Sequence, residues 1–81
     1  MKKKILIFSA GPSGREVFQL ISSINKSSGN IWEVLGYVDE DSKKIGKIID
    51  GIQVFSNNNL PKQNEIYAIC GTMNSVIRKN I

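Results

Sequence analysis

Ile5-Leu6-Ile7-Phe8 is a continuous apolar run close to the amino terminus. A run of this type suits a strand covered on both faces, as in a parallel sheet. It stops at Ser9-Ala10-Gly11-Pro12-Ser13-Gly14, a dense turn signal. Val17, Leu20, Ile21 and Ile24 then recur at three- and four-residue spacing, with Phe18 widening the stripe, which predicts a helix lying against a sheet. Ser13 and Glu16 stand in the order Ser-x-x-Glu and predict a capping box at its start. Asn25 to Asn30 reads as the exit loop.

Ile31 to Val38 reads as a second strand ending in the acidic run Asp39-Glu40-Asp41, where Asp41 or Ser42 would cap a short turn through Lys43 to Lys47. Ile48 to Phe55 is a small extended excursion broken at Asp50-Gly51, a dipeptide that favours a tight hairpin turn. Asn57 to Asn59 and Leu60-Pro61 form a loop, Ile66 to Cys70 a third short strand, and Gly71 a turn. Thr72 to Ile81 predicts a second helix with Val76 and Ile77 on its apolar side. Strands alternating with helices imply parallel strands joined by crossovers. The expected fold is α/β: a Rossmann-like three-layer domain with a short parallel sheet, in β-α-β-β-α order, and incomplete at its carboxyl end.

The chain has 81 residues, 41% of them apolar and 22% charged, which is room for one small globular domain with a thin core. It contains no histidine, so the commonest general base and metal ligand is absent, and the sequence reads better as something that binds than as a catalyst. The one cysteine, Cys70, excludes an internal disulfide. The net charge of +4 is concentrated at Lys2-Lys3-Lys4, a solvated cap on the first strand. Arg15 and Arg78 stand far apart, and no nucleic-acid motif accompanies them. The apolar stretch after the lysines is too short for a secretory signal, and no run is long enough to span a membrane. A cytoplasmic protein is expected.

Three places suit ligand binding. In the loop Ser9 to Gly14, backbone N–H groups at a helix amino terminus favour an anion, and Gly11 and Gly14 would allow positive φ and close approach to a phosphate. The pattern lacks the first glycine of a dinucleotide fingerprint, where Ser9 stands, and Pro12 has no donor N–H. A plain strand-to-helix turn therefore competes with a phosphate site. Asp39, at the carboxyl end of the second strand, would accept hydrogen bonds from ribose hydroxyls. Cys70-Gly71-Thr72 ends the third strand on the same sheet edge, with Gly71 allowing backbone approach and Thr72 or Asn74 offering polar contacts. Cys70 lacks a histidine partner and reads as a packing residue.

The run Ile7 to Val17, the strand Val34 to Asp41, the stretches Lys44-Ile45-Gly46-Lys47 and Gly51-Ile52-Gln53-Val54, Leu60-Pro61, Ala68 to Gly71 and Ile77-Arg78-Lys79 together resemble the amino-terminal domain of PglD/NeuD-type sugar O- or N-acyltransferases. The resemblance spans residues 1–81. It implies a domain that binds a nucleotide-linked amino sugar (a UDP-sugar) in bacterial surface-glycan synthesis, with Gly11, Ser13 and Gly14 facing the phosphates and Asp39 the nucleoside. It implies no cofactor on this domain. In that family a following left-handed β-helix trimerises, binds acetyl-CoA and carries the catalytic histidine; that part is absent here. Ser9 and Pro12-Ser13 depart from the family pattern. A NAD(P)-binding Rossmann segment of an oxidoreductase shares the glycine loop and acidic strand end and is the alternative, and a truncated relic that binds nothing is a third.

Overall fold

The computed structural model describes residues 2–62 and 65–70, and the backbone of 76–80. Its elements are β1 (Lys3–Phe8), α1 (Pro12–Ser28), β2 (Trp32–Val38), β3 (Ile48–Ile49), β4 (Ile52–Phe55), β5 (Glu65–Cys70) and β6 (Val76–Asn80). They form one sheet in the order β3-β4-β2-β1-β5-β6. The four inner strands are parallel, β1 between β2 and β5, and β4 beyond β2. The edges β3 and β6 run antiparallel to their neighbours. The fold is Rossmann-like α/β, as expected.

Ile5, Leu6 and Ile7 are all buried, each at 1% exposure or less, because β1 is central and covered on both sides. On one face Ile5 and Ile7 pack with Val17 and Ile21 of α1, Tyr37 and Val54. On the other Leu6, Val38 and Ile66 meet Phe8, Leu35, Phe55 and Leu60. The connection from β4 to β5 contains no described helix, and Leu60 within it packs on that second face. Among the described residues α1 is the one helix, so helical cover lies on a single face and the expected third layer is missing there. Among the same residues, no helix is long and apolar enough to cross a membrane.

Three local expectations change. Val76–Asn80 is a strand paired with β5, Ile69 opposite Val76 and Glu65 opposite Asn80, where a helix was expected. Val76 and Ile77 are β-branched, and two adjacent apolar residues suit either period, so the unpaired edge of β5 decides the outcome. Thr72 to Ser75 and Ile81 lie outside the described residues. The helix α1 starts at Pro12 with Gly11 as its N-cap and no side-chain cap, so Ser13 lies inside the first turn and the capping box does not form. Proline is preorganised for the first helical position, which pulls the start forward. At the other end α1 runs through Asn25 to Ser28, ending at Gly29 in the left-handed region.

Asn25 is the reason that end is well defined. Its Oδ1 accepts the Trp32 N–H at 2.9 Å and its Nδ2 donates to the Trp32 carbonyl at 2.8 Å, so one amide side chain clamps the helix to the first residue of β2. The Asp50-Gly51 hairpin forms as expected, with both residues at positive φ, 55° and 80°, the pairing a type I′ turn demands. Removing the clamp by Asn25→Ala leaves two part-buried backbone groups unpaired, a cost of about 1–3 kcal/mol. The melting temperature is expected to fall by roughly 10 °C in a thermal unfolding scan of the variant against the wild type.

Candidate functional site

The carboxyl ends of β1, β2, β4 and β5 point to one edge of the sheet, with β1 lying between strands reached in opposite directions. Ligands of open α/β sheets bind at such a reversal point. The loop after β1 is built there by four backbone-anchored contacts. The Ser9 N–H donates to the Val38 carbonyl at 2.8 Å. The Ser9 hydroxyl accepts the Gly11 N–H at 3.2 Å. The Ala10 N–H donates to Asp39 Oδ2 at 2.8 Å, and the Asp41 N–H to Asp39 Oδ1 at 2.9 Å.

The glycines have different roles from those expected. Gly11 has φ −82° and space around its Cα, with only the Ser9 hydroxyl, at 3.5 Å, near an added Cβ. Gly14 is helical, and an added Cβ would overlap the Ser9 carbonyl oxygen and stand 2.8 Å from its carbon. Neither glycine takes positive φ; the residue that does is Ser9, at 112°. Ser9 thus bears the strain at the place where a dinucleotide fingerprint has its first glycine. Gly14 is required for the close approach of helix to strand end.

Asp39 bridges the loop to the end of β2. The N–H groups of Asp41 and Ala10, with a smaller contribution from the Lys44 charge, hold its carboxyl below the usual range, so it is ionised at neutral pH. It lines a cleft of about 340 Å³ with Ser9, Glu40, Asn57 and Cys70. Cys70 is half-buried. The N–H groups of Ser13 and Gly14, in the first turn of α1, have no acceptor within the helix, whereas those of Ala10 and Gly11 already donate to Asp39 and Ser9. Asp39 thus meets the loop at Ala10, while Gly11 lies at the helix start with Ser13 and Gly14 in the first turn. Gly71 and Thr72, together with Asn74, lie outside the described residues.

The sequence reading missed a second polar cluster beside the loop. Arg15 donates from Nε to Asp50 Oδ2 at 3.0 Å and from Nη2 to Oδ1 at 3.2 Å. The Tyr37 hydroxyl donates to the same Oδ2 at 2.7 Å. Tyr37 is fully buried; burial first, and then its bond to Asp50, pushes the phenol far above its ordinary range. Arg15 and then Tyr37 hold the Asp50 carboxyl below its ordinary value. Arg15 also borders a second cleft, of about 400 Å³, with Ala10, Gly11, Pro12, Lys44 and Ile48. Asp50-Gly51 was legible as a turn, but nothing in the spacing of Arg15, Tyr37 and Asp50 announced that they meet.

All residues 1–81 match the family model described as C2185-like, N-terminal. No curated protein matches the chain. Among solved structures, the crystal structure of UDP-D-quinovosamine 4-dehydrogenase from Vibrio fischeri is similar, with a TM-score of 0.59 and 26% sequence identity. The match covers 72% of this chain and 43% of that one, so the present chain corresponds to less than half of the neighbour.

Two outcomes follow from this geometry. Gly14→Ala is expected to cost about 3 kcal/mol by forcing the helix away from Ser9, whereas Gly11→Ala, which has room for the Cβ but puts a poorer residue at the N-cap, is expected to cost less than about 1 kcal/mol; urea denaturation of both variants checks the contrast. Because the Asp50 pKa is depressed on folding, its stabilising contribution is complete above the ordinary carboxylate value of 3.8 and is lost as pH falls through the lower folded value. Denaturation midpoints of wild type and Asp50→Asn, measured from neutral pH downward, should differ most at neutral pH and converge in strong acid.

Proposed function

We propose, from the premise that this chain belongs to the C2185-like N-terminal family, that it is the nucleotide-binding segment of a Rossmann-like enzyme acting on sugar nucleotides, and that its own ligand is NAD(P). The observation that carries the proposal is the ionised Asp39 carboxylate at the end of β2, 2.8 Å from the loop amide of Ala10. A carboxylate there lies where a dinucleotide places its ribose hydroxyls, and α1 presents the Ser13 and Gly14 amides to the pyrophosphate. Each carboxylate oxygen accepts more than one hydrogen bond, so the Ala10 and Asp41 contacts leave capacity for a ribose.

The charge of Asp39, followed by Glu40 and Asp41, repels a 2′-phosphate, so NAD is favoured over NADP. The resembling crystal structure belongs to a UDP-sugar dehydrogenase, which supports the oxidoreductase alternative over the acyltransferase reading; neither comparison adds support for an acyltransferase. With no histidine in the chain, this segment contributes binding and orientation, and the chemistry belongs to the rest of the enzyme. A UDP-sugar at the same edge, as in the acyltransferase-like domains, is the second reading, favoured only by the pattern of residues 7–17 and 34–41.

Titration with NADH, followed by its fluorescence, should saturate. NADPH should bind at least tenfold more weakly, and Asp39→Ala should weaken NADH binding by about tenfold. Saturable binding of UDP-N-acetylglucosamine with none of NADH would overturn the dinucleotide proposal in favour of the second reading. No binding of either would defeat both.

A further inference from the structure

Arg15 follows Gly14 in the first turn of α1, yet its guanidinium is held by Asp50, a residue of the β3–β4 hairpin thirty-five positions away. Two features make this pair unlike an ordinary surface salt bridge. Asp50 is held in place from beneath by the buried Tyr37 hydroxyl, and it sits at positive φ in a tight turn, so its carboxylate is fixed while Arg15 is the movable member, with its side chain 56% exposed against 15% for Asp50. Arg15 also borders the cleft that contains Ala10, Gly11 and Lys44. An anion entering that cleft would meet Lys44 and a guanidinium that is already paired with a carboxylate.

We infer that Asp50 is a built-in competitor for Arg15, so that Arg15 pairs with the hairpin in the empty site and turns to the phosphate of a bound nucleotide. The inference rests on the nucleotide reading above and assigns to that site a cation and an internal counter-anion. A bidentate guanidinium suits phosphate as well as carboxylate, so the exchange replaces one charge-assisted pair with another and leaves no charge unpaired on Arg15. Asp50 keeps its bond from Tyr37 throughout. The anchored hairpin therefore holds the loop in one shape before binding and lowers affinity by the strength of a partly exposed ion pair.

The variant Asp50→Asn separates the two roles. Asparagine followed by glycine is a favoured type I′ turn, and its amide oxygen still accepts from Tyr37, so the hairpin is retained while the competing charge is lost. ADP titrated by calorimetry should bind Asp50→Asn about two- to fivefold more tightly than wild type, the range that an exposed pair is worth. Arg15→Gln should bind about tenfold more weakly, and adding Asp50→Asn to Arg15→Gln should bring no gain. In parallel, the Arg15 Nε–H resonance should shift when ADP is added to the wild type.

Equal or weaker ADP binding by Asp50→Asn, with wild type binding normally, would overturn the competition and leave the nucleotide site standing. An unmoved Arg15 resonance in an ADP-saturated sample would do the same. Absence of ADP binding in wild type and both variants would instead remove the nucleotide reading itself, and this inference with it.

Discussion

The contact on which the site depends is the close approach of α1 to the end of β1, where Gly14 lies against the Ser9 carbonyl with no room for a Cβ. That approach sets the first turn of the helix directly over the strand end. It brings the Ser13 and Gly14 amides to the sheet edge, places Arg15 within reach of the β3–β4 hairpin, and lets Val17 and Ile21 reach the core around Ile5 and Ile7. A larger residue at position 14 would lift the helix, and the amides, the ion pair and the core contacts would all move with it.

The loop between them satisfies most of its own backbone. Ser9 adopts φ 112° and uses its hydroxyl to accept the Gly11 N–H, while Asp39 takes that of Ala10. A left-handed serine is strained, and it persists because its N–H is fixed to Val38 and its carbonyl is boxed in by Gly14. The consequence is an edge where an anion has fewer amides to meet than in a loop with a full set of glycines, and where side-chain charge matters correspondingly more. Asp39 puts a carboxylate at that edge within range of the Lys44 charge, and Arg15 stands beside the hairpin, paired with Asp50.

Much of the architecture was legible because its signals are local. The run Ile5 to Phe8, the helix carrying the stripe from Val17 to Ile24 and the Asp50-Gly51 turn each carry their own period or dihedral requirement and were found where expected. Of that stripe, Val17 and Ile21 are buried while Leu20 and Ile24 stay exposed. The end of α1 was misplaced because Asn25 looks like a loop residue, although it earns a helical place through two bonds to Trp32, which are made only once β2 is alongside. Val76–Asn80 was misread because two adjacent apolar residues carry no period, and the choice between helix and strand is made by pairing with β5, the strand just before it. The glycine loop and Asp39 were singled out from the sequence, but the division of labour within the loop was not, since positive φ falls on Ser9 and steric necessity on Gly14.

From its order of residues alone this chain determined a parallel α/β sheet, a glycine-bearing turn at the end of the first strand and an acid at the end of the second, because periodicity, turn chemistry and charge are properties of short windows. Only the folded molecule decided that Arg15, Tyr37 and Asp50 meet, that Asp39 turns its carboxylate back onto Ala10, and that the last segment pairs as a strand. The first two depend on residues remote in sequence, which meet only after the sheet has assembled, and the third on the edge of the preceding strand, which is offered only once β5 is in place.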